Sequence, residues 1–306
     1  MKPAETGAKG TGMSTILTAR KSKRILLGLI GSPIAHSATP AAQEAAARAA
    51  GIEAHYHLIE VAGAGRDDLA AMLDGVRRLG FSGINVTFPY KEAVVPLLDG
   101  MSEQAAAMGA VNTIVVDDGR LIGHNTDASG FATAYRRLCR QDGDKPIAII
   151  GAGGVGKAIA FALASCGVRH LRLYDVERGR AEALARLLGG RASVAIAASA
   201  EDAAENTAGI VNGTPIGMLP DRGMPIEAGA IRASQWVADA VYHPLWTPLL
   251  KAAQKTGATV MTGRELAIHQ GVDAFRLFTG LEASEAVIGA AFDAAIAARE
   301  GSERAA

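Results

Sequence analysis

From Ile25 onward, short apolar runs alternate with stretches whose apolar residues recur at helical spacing. Ile25–Ile30 is a continuous apolar run that predicts a buried strand. Pro40–Ala50, Ala-rich, with Pro in its first turn and Gly51 behind it, predicts a helix. His55–Val61 predicts a strand, Asp67–Leu79 a helix closed by Gly80, and Ile84–Thr87 another strand followed by a helix starting near Tyr90. Val111–Val116 and Leu121–His124 flank Asp-Asp-Gly, a hairpin signal. A second series opens at Pro146, with strands at Ile147–Ile150, Leu171–Tyr174, Val194–Ala197, Gly209–Asn212 and Trp236–Ala240 and helices between them. Arg264–Arg299 reads as one long helical stretch. This alternation predicts an α/β chain whose sheets are largely parallel and covered on both faces. No solenoid repeat or low-complexity linker divides it. The weakest place for a boundary is the helix Ser129–Arg140 and the polar turn Gln141–Asp144.

Composition narrows the possibilities. With 306 residues, two domains are expected. The 31 basic and 31 acidic side chains cancel, which leaves no excess charge to release counterions from nucleic acid. Cys139 and Cys166 lack CxxC spacing, so neither a disulfide framework nor a cysteine-built metal site is expected, and a reducing cytoplasm suits the chain. The longest uncharged apolar stretch, near Pro146–Gly156, is glycine-rich and falls short of the roughly 18 residues that cross a bilayer. Residues 1–23, rich in Lys, Gly, Ser and Thr, lack the apolar core of a signal peptide and are expected to be a mobile tail, with Met13 an alternative start.

The strongest local signal is Gly151-Ala152-Gly153-Gly154-Val155-Gly156, directly after the strand Ile147–Ile150 and before the helical run Lys157–Ser165. Glycines there allow a tight turn and bring backbone N–H groups against a pyrophosphate at a helix N-terminus. Alone, such a loop could be a purely structural turn. An acid closing the following strand, Asp175, makes it a Rossmann-type dinucleotide site. A carboxylate at that place accepts hydrogen bonds from the ribose hydroxyls of NAD and repels a 2′-phosphate, so NAD is expected over NADP. Arg178 and Arg180 lie near enough to hold such a phosphate, or else pair with Glu177 or Glu182 on the helix surface.

Three polar clusters precede the nucleotide segment. Ser37 and Thr39, two hydroxyls ahead of a helix, suit a carboxylate, although Thr39 before Pro40 is also an ordinary helix cap. Strand alternation puts Asn85 and Thr87 on one face, with Lys91 a turn later. Asn112 and then Gly123-His-Asn-Thr-Asp127 form the third. Amides, hydroxyls, one ammonium and one carboxylate are what a polyhydroxylated acid needs. Asp127 could equally cap the helix after it, and an isolated lysine is usually a solvated charge. His55 and His57 share a strand face without a third ligand at metal spacing, His36 and His243 read as structural, and Trp236 and Trp246 as core or interface residues.

Together these residues resemble the shikimate dehydrogenase family over about Lys23 to Gly280. The matching pieces are Ser37-x-Thr39, Asn-Val-Thr-Phe-Pro-Tyr-Lys91, Gly-Ala-Val-Asn112-Thr, Asn-Thr-Asp127, the glycine loop, Asn212-Gly-Thr-Pro-Ile-Gly-Met218 and Val-Tyr242-His-Pro. The resemblance implies Lys91 and Asp127 as the catalytic pair. It implies Ser37, Thr39, Asn85, Thr87, Asn112, Tyr242 and Gln270 as substrate contacts. Thr214, Met218, Val241 and Gly263 would line the cofactor side, with Arg180. It further implies an N-terminal α/β substrate domain with a mostly parallel sheet over 24–127, a Rossmann-type dinucleotide-binding domain over 128–263, and C-terminal helices over 264–306 that pack back on the substrate domain.

Departures from the NADP-dependent biosynthetic members point one way. Ser-x-Thr39 stands for Ser-x-Ser, Asp175-Val-Glu for an Asn-Arg-Thr turn, and Gly263-Arg-Glu-Leu-Ala-Ile-His-Gln270 for Gly-x-x-Met-Leu. These resemble the bacterial NAD-dependent quinate/shikimate dehydrogenases, which oxidise quinate or shikimate catabolically. The expected activity is therefore reversible oxidation of a ring hydroxyl of quinate or shikimate, with NAD and no metal, by a monomer or homodimer that binds neither nucleic acid nor membrane. An NADP-dependent biosynthetic shikimate dehydrogenase, a non-catalytic quinate or shikimate sensor, and a two-domain dehydrogenase acting on an amino acid or folate remain as alternatives.

Overall fold

The computed structural model describes residues 24–138 and 144–305. The expected tail, Cys139 and most of the polar turn after it lie outside the described residues. The described residues form two six-stranded sheets, each flanked by helices.

The first sheet contains β1 (Arg24–Gly31), β2 (Glu53–Glu60), β3 (Gly83–Val86), β4 (Gly100–Met101), β5 (Thr113–Asp117) and β6 (Arg120–His124), in the order β2-β1-β3-β5-β6-β4. β1 pairs in parallel with β2 and β3, and β4 with β6, whereas β5 runs antiparallel to both its neighbours. The antiparallel step is the predicted hairpin. Asp118 and Gly119 both take positive φ, 47° and 74°, the conformation that a tight two-residue turn requires and that Asp-Gly tolerates. The expected helix near Tyr90 does not form. Pro96 lacks an N–H and its ring opposes the carbonyl four residues back, so only one 3₁₀ turn, Val95–Leu97, survives. In this first sheet and its connections two short elements escaped the sequence reading, β4 and α3 (Glu103–Met108), the latter capped by the Ser102 hydroxyl.

The second sheet contains β7 (Ile147–Ile150), β8 (His170–Tyr174), β9 (Ser193–Ile196), β10 (Gly209–Asn212), β11 (Trp236–Asp239) and β12 (Thr259–Met261). Its order is β12-β11-β10-β7-β8-β9 and every pairing is parallel. Counted within the sheet this is the order 3-2-1-4-5-6 of doubly wound dinucleotide folds, with the direction of winding reversing between β7 and β10. Crossovers run through α5 (Gly154–Ser165), α6 (Arg178–Leu188), α7 (Ala200–Ala204) and α8 (Pro248–Thr256). All residues of β7, β10 and β11 are buried, as expected of strands covered on both faces.

Helices join the two layers. α4 (Thr126–Leu138) packs on α5 at one side and on α9 (Gly263–Thr279) at the other, and its Phe131 and Tyr135 enter the core with Ile147, Ile149 and Trp236. α9 and α10 (Glu285–Ala305) also pack against α1 (Thr39–Ala49), through Ala42, Ala46, Ala47, Ile268, Phe275 and Ile288. The predicted single stretch Arg264–Arg299 is thus two helices. Gly280 ends the first in the left-handed region, and the chain turns before Glu285. Of the two tryptophans, Trp236 is core and Trp246 is more than a third exposed.

Candidate active site

A cleft of about 1880 Å³ opens between the two sheets. Its floor is made by the loops that leave the carboxyl ends of β1, β3, β7, β8, β10 and β11, the usual place for a ligand in open α/β sheets. Every residue that the resemblance assigns to substrate, cofactor or catalysis lines it except Gly156, whereas Arg178, the other candidate for a 2′-phosphate, does not. Gly156 lies beneath the loop instead, where an added Cβ would stand 1.9 Å from the Gly151 carbonyl oxygen. It is needed for the loop to close.

At the centre, the Lys91 ammonium lies 2.6 Å from Asp127 Oδ2, and the two side chains are only 11% and 9% exposed. They arrive from opposite sides. Lys91 follows the turn after β3, and Asp127 is the second residue of α4. The helix does not use Asp127 as its cap, because Asn125 Oδ1 accepts the Ala128 N–H. Its carboxylate is left for the lysine. A buried pair of this kind contributes little net stability, since desolvation offsets most of the attraction, and so its presence in a cleft calls for a chemical reason.

Around the pair lies a connected set of hydroxyls and amides. The Ser37 hydroxyl donates to Thr39 Oγ1 at 2.9 Å and accepts the Thr39 N–H at 3.2 Å, so Thr39 opens α1 without capping it. Asn85 donates to the Asn112 carbonyl at 3.2 Å and to Thr113 Oγ1 at 2.9 Å. Asn112 Oδ1 accepts the Thr126 N–H at 2.7 Å while its amide donates to Thr126 Oγ1, which fixes the start of α4 and hence Asp127. Gln270 approaches from α9, its Oε1 3.3 Å from Thr126 Oγ1. Tyr242 is buried. Burial raises its phenol pKa, the Ser37 hydrogen bond and Arg299 lower it, Asp127 raises it, and the net shift is upward.

On the opposite wall, Gly151 takes φ +97° and the chain turns directly from β7 into α5. Around Gly153 an added Cβ would meet nothing within 4 Å, so the cradle is open towards the cleft where a pyrophosphate would need room. Asp175 ends this wall. Its Oδ2 accepts the Ala152 N–H at 2.7 Å and its Oδ1 the Glu177 N–H at 2.9 Å, which holds the carboxylate at the rim. Arg180 pairs with Glu177 at 3.0 Å and Arg178 with Glu182 at 2.8 Å. The glycine cradle, the helix N-terminus and the pinned acid fit a nicotinamide dinucleotide.

Comparison with known proteins agrees with this geometry. Residues 29–114 match the shikimate dehydrogenase substrate binding domain, and residues 146–223 match a family described as NADP oxidoreductase, coenzyme F420-dependent. A quinate/shikimate dehydrogenase (NAD(+)) of Corynebacterium glutamicum is 45% identical over 266 residues, which cover 84% of this chain and 94% of that protein. The chain belongs to the shikimate dehydrogenase family. It is an oxidoreductase of the quinate/shikimate dehydrogenase class and uses a nicotinamide dinucleotide. A shikimate dehydrogenase (NADP(+)) of Streptomyces avermitilis is 41% identical over 264 residues, 84% of this chain and 91% of that one. The solved quinate dehydrogenase from Corynebacterium glutamicum in complex with NAD superposes with a TM-score of 0.80 at 42% identity, covering 89% of this chain and 99% of that one.

Three residues behind the cleft of this family member, each bonded to a residue or loop that lines it, were not picked out from its sequence. Tyr56 on β2 donates to Asn85 Oδ1 at 2.8 Å and is fully buried, which with nearby Tyr242 pushes its pKa well above the ordinary phenol value. Arg299 of α10 donates to the Ser37 carbonyl at 2.7 Å, bringing a cation close to the Ser37–Thr39 hydroxyls. Asp239 at the end of β11 accepts from Asn212 Nδ2 at 2.9 Å, the Val241 N–H at 2.9 Å and the Thr247 hydroxyl at 2.7 Å. Asn212 Oδ1 in turn holds Thr214, so this network ties together the loops that carry Thr214, Met218, Val241 and Tyr242. Burial raises the Asp239 pKa to about 6 against its three hydrogen bonds. Among the described residues no helix is long and apolar enough to cross a membrane, and no group of three His, Cys, Asp or Glu is placed to hold a metal ion. His55 and His57 have ring centroids 6.2 Å apart, with His55 largely exposed.

Proposed function

We propose that this chain oxidises a ring hydroxyl of quinate and of shikimate with NAD, giving 3-dehydroquinate and 3-dehydroshikimate, and runs the same step in reverse. One observation carries the reading: the buried Lys91–Asp127 pair stands between a wall of hydroxyls and amides and the dinucleotide cradle. In this reading residues 24–127, with the C-terminal helices from 264, hold the substrate, and residues 128–263 hold the dinucleotide. Ser37, Thr39 and Tyr242 receive the carboxylate, and Asn85, Thr87, Asn112 and Gln270 the ring hydroxyls. Gly151–Gly156, Asp175, Arg180, Thr214, Met218, Val241 and Gly263 form the cofactor side.

Lys91 in its neutral form accepts the hydroxyl proton during oxidation and returns it during reduction, as a general base and then acid. Asp127 orients the Lys91 head towards the reacting hydroxyl. The nicotinamide ring, when bound, supplies the acceptor for the carbinol hydride. The Lys91 and Asp127 side chains, only 11% and 9% exposed, have little contact with bulk water.

Asp175 at the rim, where the 2′-hydroxyl of an adenosine ribose would sit, supports NAD. The NAD-linked relative from Corynebacterium supports the same cofactor, whereas the NADP-linked one from Streptomyces keeps the biosynthetic reading in the test. Initial rates for quinate and shikimate, each with NAD and with NADP, decide among these. Turnover of both acids with NAD is expected. Turnover of shikimate alone, with NADP favoured, overturns the reading in favour of the biosynthetic enzyme, and ligand binding with no turnover overturns it in favour of a sensor.

A further inference from the structure

Two charged side chains beside the Lys91–Asp127 pair have no task in the proposed reaction. Glu92 follows Lys91 in the same turn, and its carboxylate lies 3.0 Å from the ammonium of Lys157. Lys157 belongs to the first turn of α5, on the other side of the cleft. A cation there is misplaced for the helix, because the helix dipole is positive at that end. Glu92 offsets that cost from across the gap.

A second contact stands directly beside the first. At Gly154, three residues before Lys157 and on the same face of α5, an added Cβ would stand 3.2 Å from Lys91 Cβ and 3.3 Å from Lys91 Cδ. Two neighbouring residues of one loop therefore meet two same-face positions of one helix. The Lys91 stem rests on the bare glycine backbone, and the Glu92 carboxylate grips the Lys157 ammonium. A glycine contact alone lets the loop slide along the helix, and an ion pair alone leaves the distance loose. Together they fix both. The Lys157 side chain is 13% exposed and that of Glu92 is 47% exposed, so the pair is accessible to salt on one side only.

We propose that Glu92 and Lys157 form a latch across the cleft that docks the Lys91 loop onto the dinucleotide loop, acting as positioning residues for Lys91. The kinetic consequence rests on the reading of Lys91 as the proton-transfer group. The conformational consequence does not. Displacing a reacting group by an ångström costs up to about a hundredfold in rate, but a half-exposed ion pair biases a docking equilibrium by no more than about fivefold.

The test compares wild type, E92Q, K157M, the double variant E92Q/K157M, E92K and the charge exchange E92K/K157E. Each neutralising single variant is expected to lower kcat about threefold to fivefold with the KM for shikimate within twofold, and the double variant to fall no further than either single. The wild-type kcat is expected to decline with added salt while that of the double variant does not. A readout independent of turnover is the radius of gyration of the ligand-free protein by small-angle X-ray scattering. It is expected to rise in E92K and to return in E92K/K157E. Additive losses in the double variant overturn the latch, as does an unchanged radius in E92K. An increase in the KM for NAD in K157M but not in E92Q also overturns it, because Lys157 then serves the cofactor phosphates. If Lys91→Ala retains turnover while the scattering change and its reversal hold, the proposed function fails and the latch stands.

Discussion

Asp175 offers the sharpest prediction about cofactor choice. Its carboxylate is held from both sides, Oδ2 by the Ala152 N–H at 2.7 Å and Oδ1 by the Glu177 N–H at 2.9 Å, so it cannot swing away from an incoming phosphate without losing two hydrogen bonds. Two unit charges about 4 Å apart repel by roughly 4 kcal/mol at an effective dielectric constant near 20. Asp175 is half-buried at an open rim, and solvent screening reduces that to about 2 kcal/mol, a factor of about 30 in discrimination. Asp175→Asn removes the charge and keeps the shape, but its Nδ2 cannot accept, so one of the two backbone N–H groups loses its acceptor. The ratio of kcat/KM for NAD to that for NADP is expected to fall about 30-fold, mostly through a gain with NADP. Arg180 adds to that gain, since its pairing with Glu177 is solvent-exposed and easily exchanged for a phosphate. Asp175→Ala also leaves two backbone N–H groups without their acceptor, so kcat/KM with both cofactors is expected to drop about tenfold on top of the change in ratio. The assay is initial-rate absorbance of reduced nicotinamide at saturating shikimate. A ratio within twofold of wild type in both variants would refute the reasoning and move cofactor selection to another residue.

Asp239, lifted to about pH 6 by burial, makes stability pH-dependent in a stated direction. Its folded-state pKa exceeds its unfolded value, so its contribution is fully present below about pH 4 and is lost as pH rises through about 6. Asp239→Asn removes that loss, and its Tm relative to wild type is expected to climb between those limits by an amount equivalent to at most about 3 kcal/mol; a constant difference contradicts the prediction. Tyr56→Phe deprives the buried Asn85 Oδ1 of its donor, at a cost of about 1–3 kcal/mol in urea unfolding, with the KM for shikimate raised severalfold and that for NAD unchanged. Gly130→Ala sets a methyl 2.6 Å from the Gln270 backbone nitrogen, which forces α4 and α9 apart and is expected to lower both Tm and kcat/KM; wild-type values for both would show that the helices yield freely.

Much of this cleft was legible in the sequence because its chemistry is carried by short segments whose local geometry is dictated by few residues. The glycine loop needs only an apolar strand before it and a helix after it, and the Asp-Gly turn fixes its hairpin alone. What was missed depends on partners distant in the chain. Tyr56 reads as one more apolar strand position, and only the parallel pairing of β1 with both β2 and β3 brings it to Asn85. Arg299 is 262 positions from Ser37, and nothing in its neighbourhood in the chain marks it as a partner of the Ser37 loop. Asp239 resembles the ordinary acid at the end of a strand until Asn212 and Thr247 close around it. The helix expected at Tyr90 illustrates the opposite error, in which apolar spacing outweighed a proline six residues on. The long C-terminal stretch was likewise read through Gly280, although a glycine followed by acidic and small residues is an ordinary helix stop.

Lys91 as the group that moves the proton is the central claim. The direct measurement is single-turnover oxidation of shikimate by Lys91→Ala with saturating NAD, alongside the equilibrium affinity for shikimate. A chemical step slowed by roughly 100-fold or more is expected, with affinity changed much less. A chemical step within a few-fold of wild type, with weakened shikimate binding, would contradict it and leave Lys91 a binding group only.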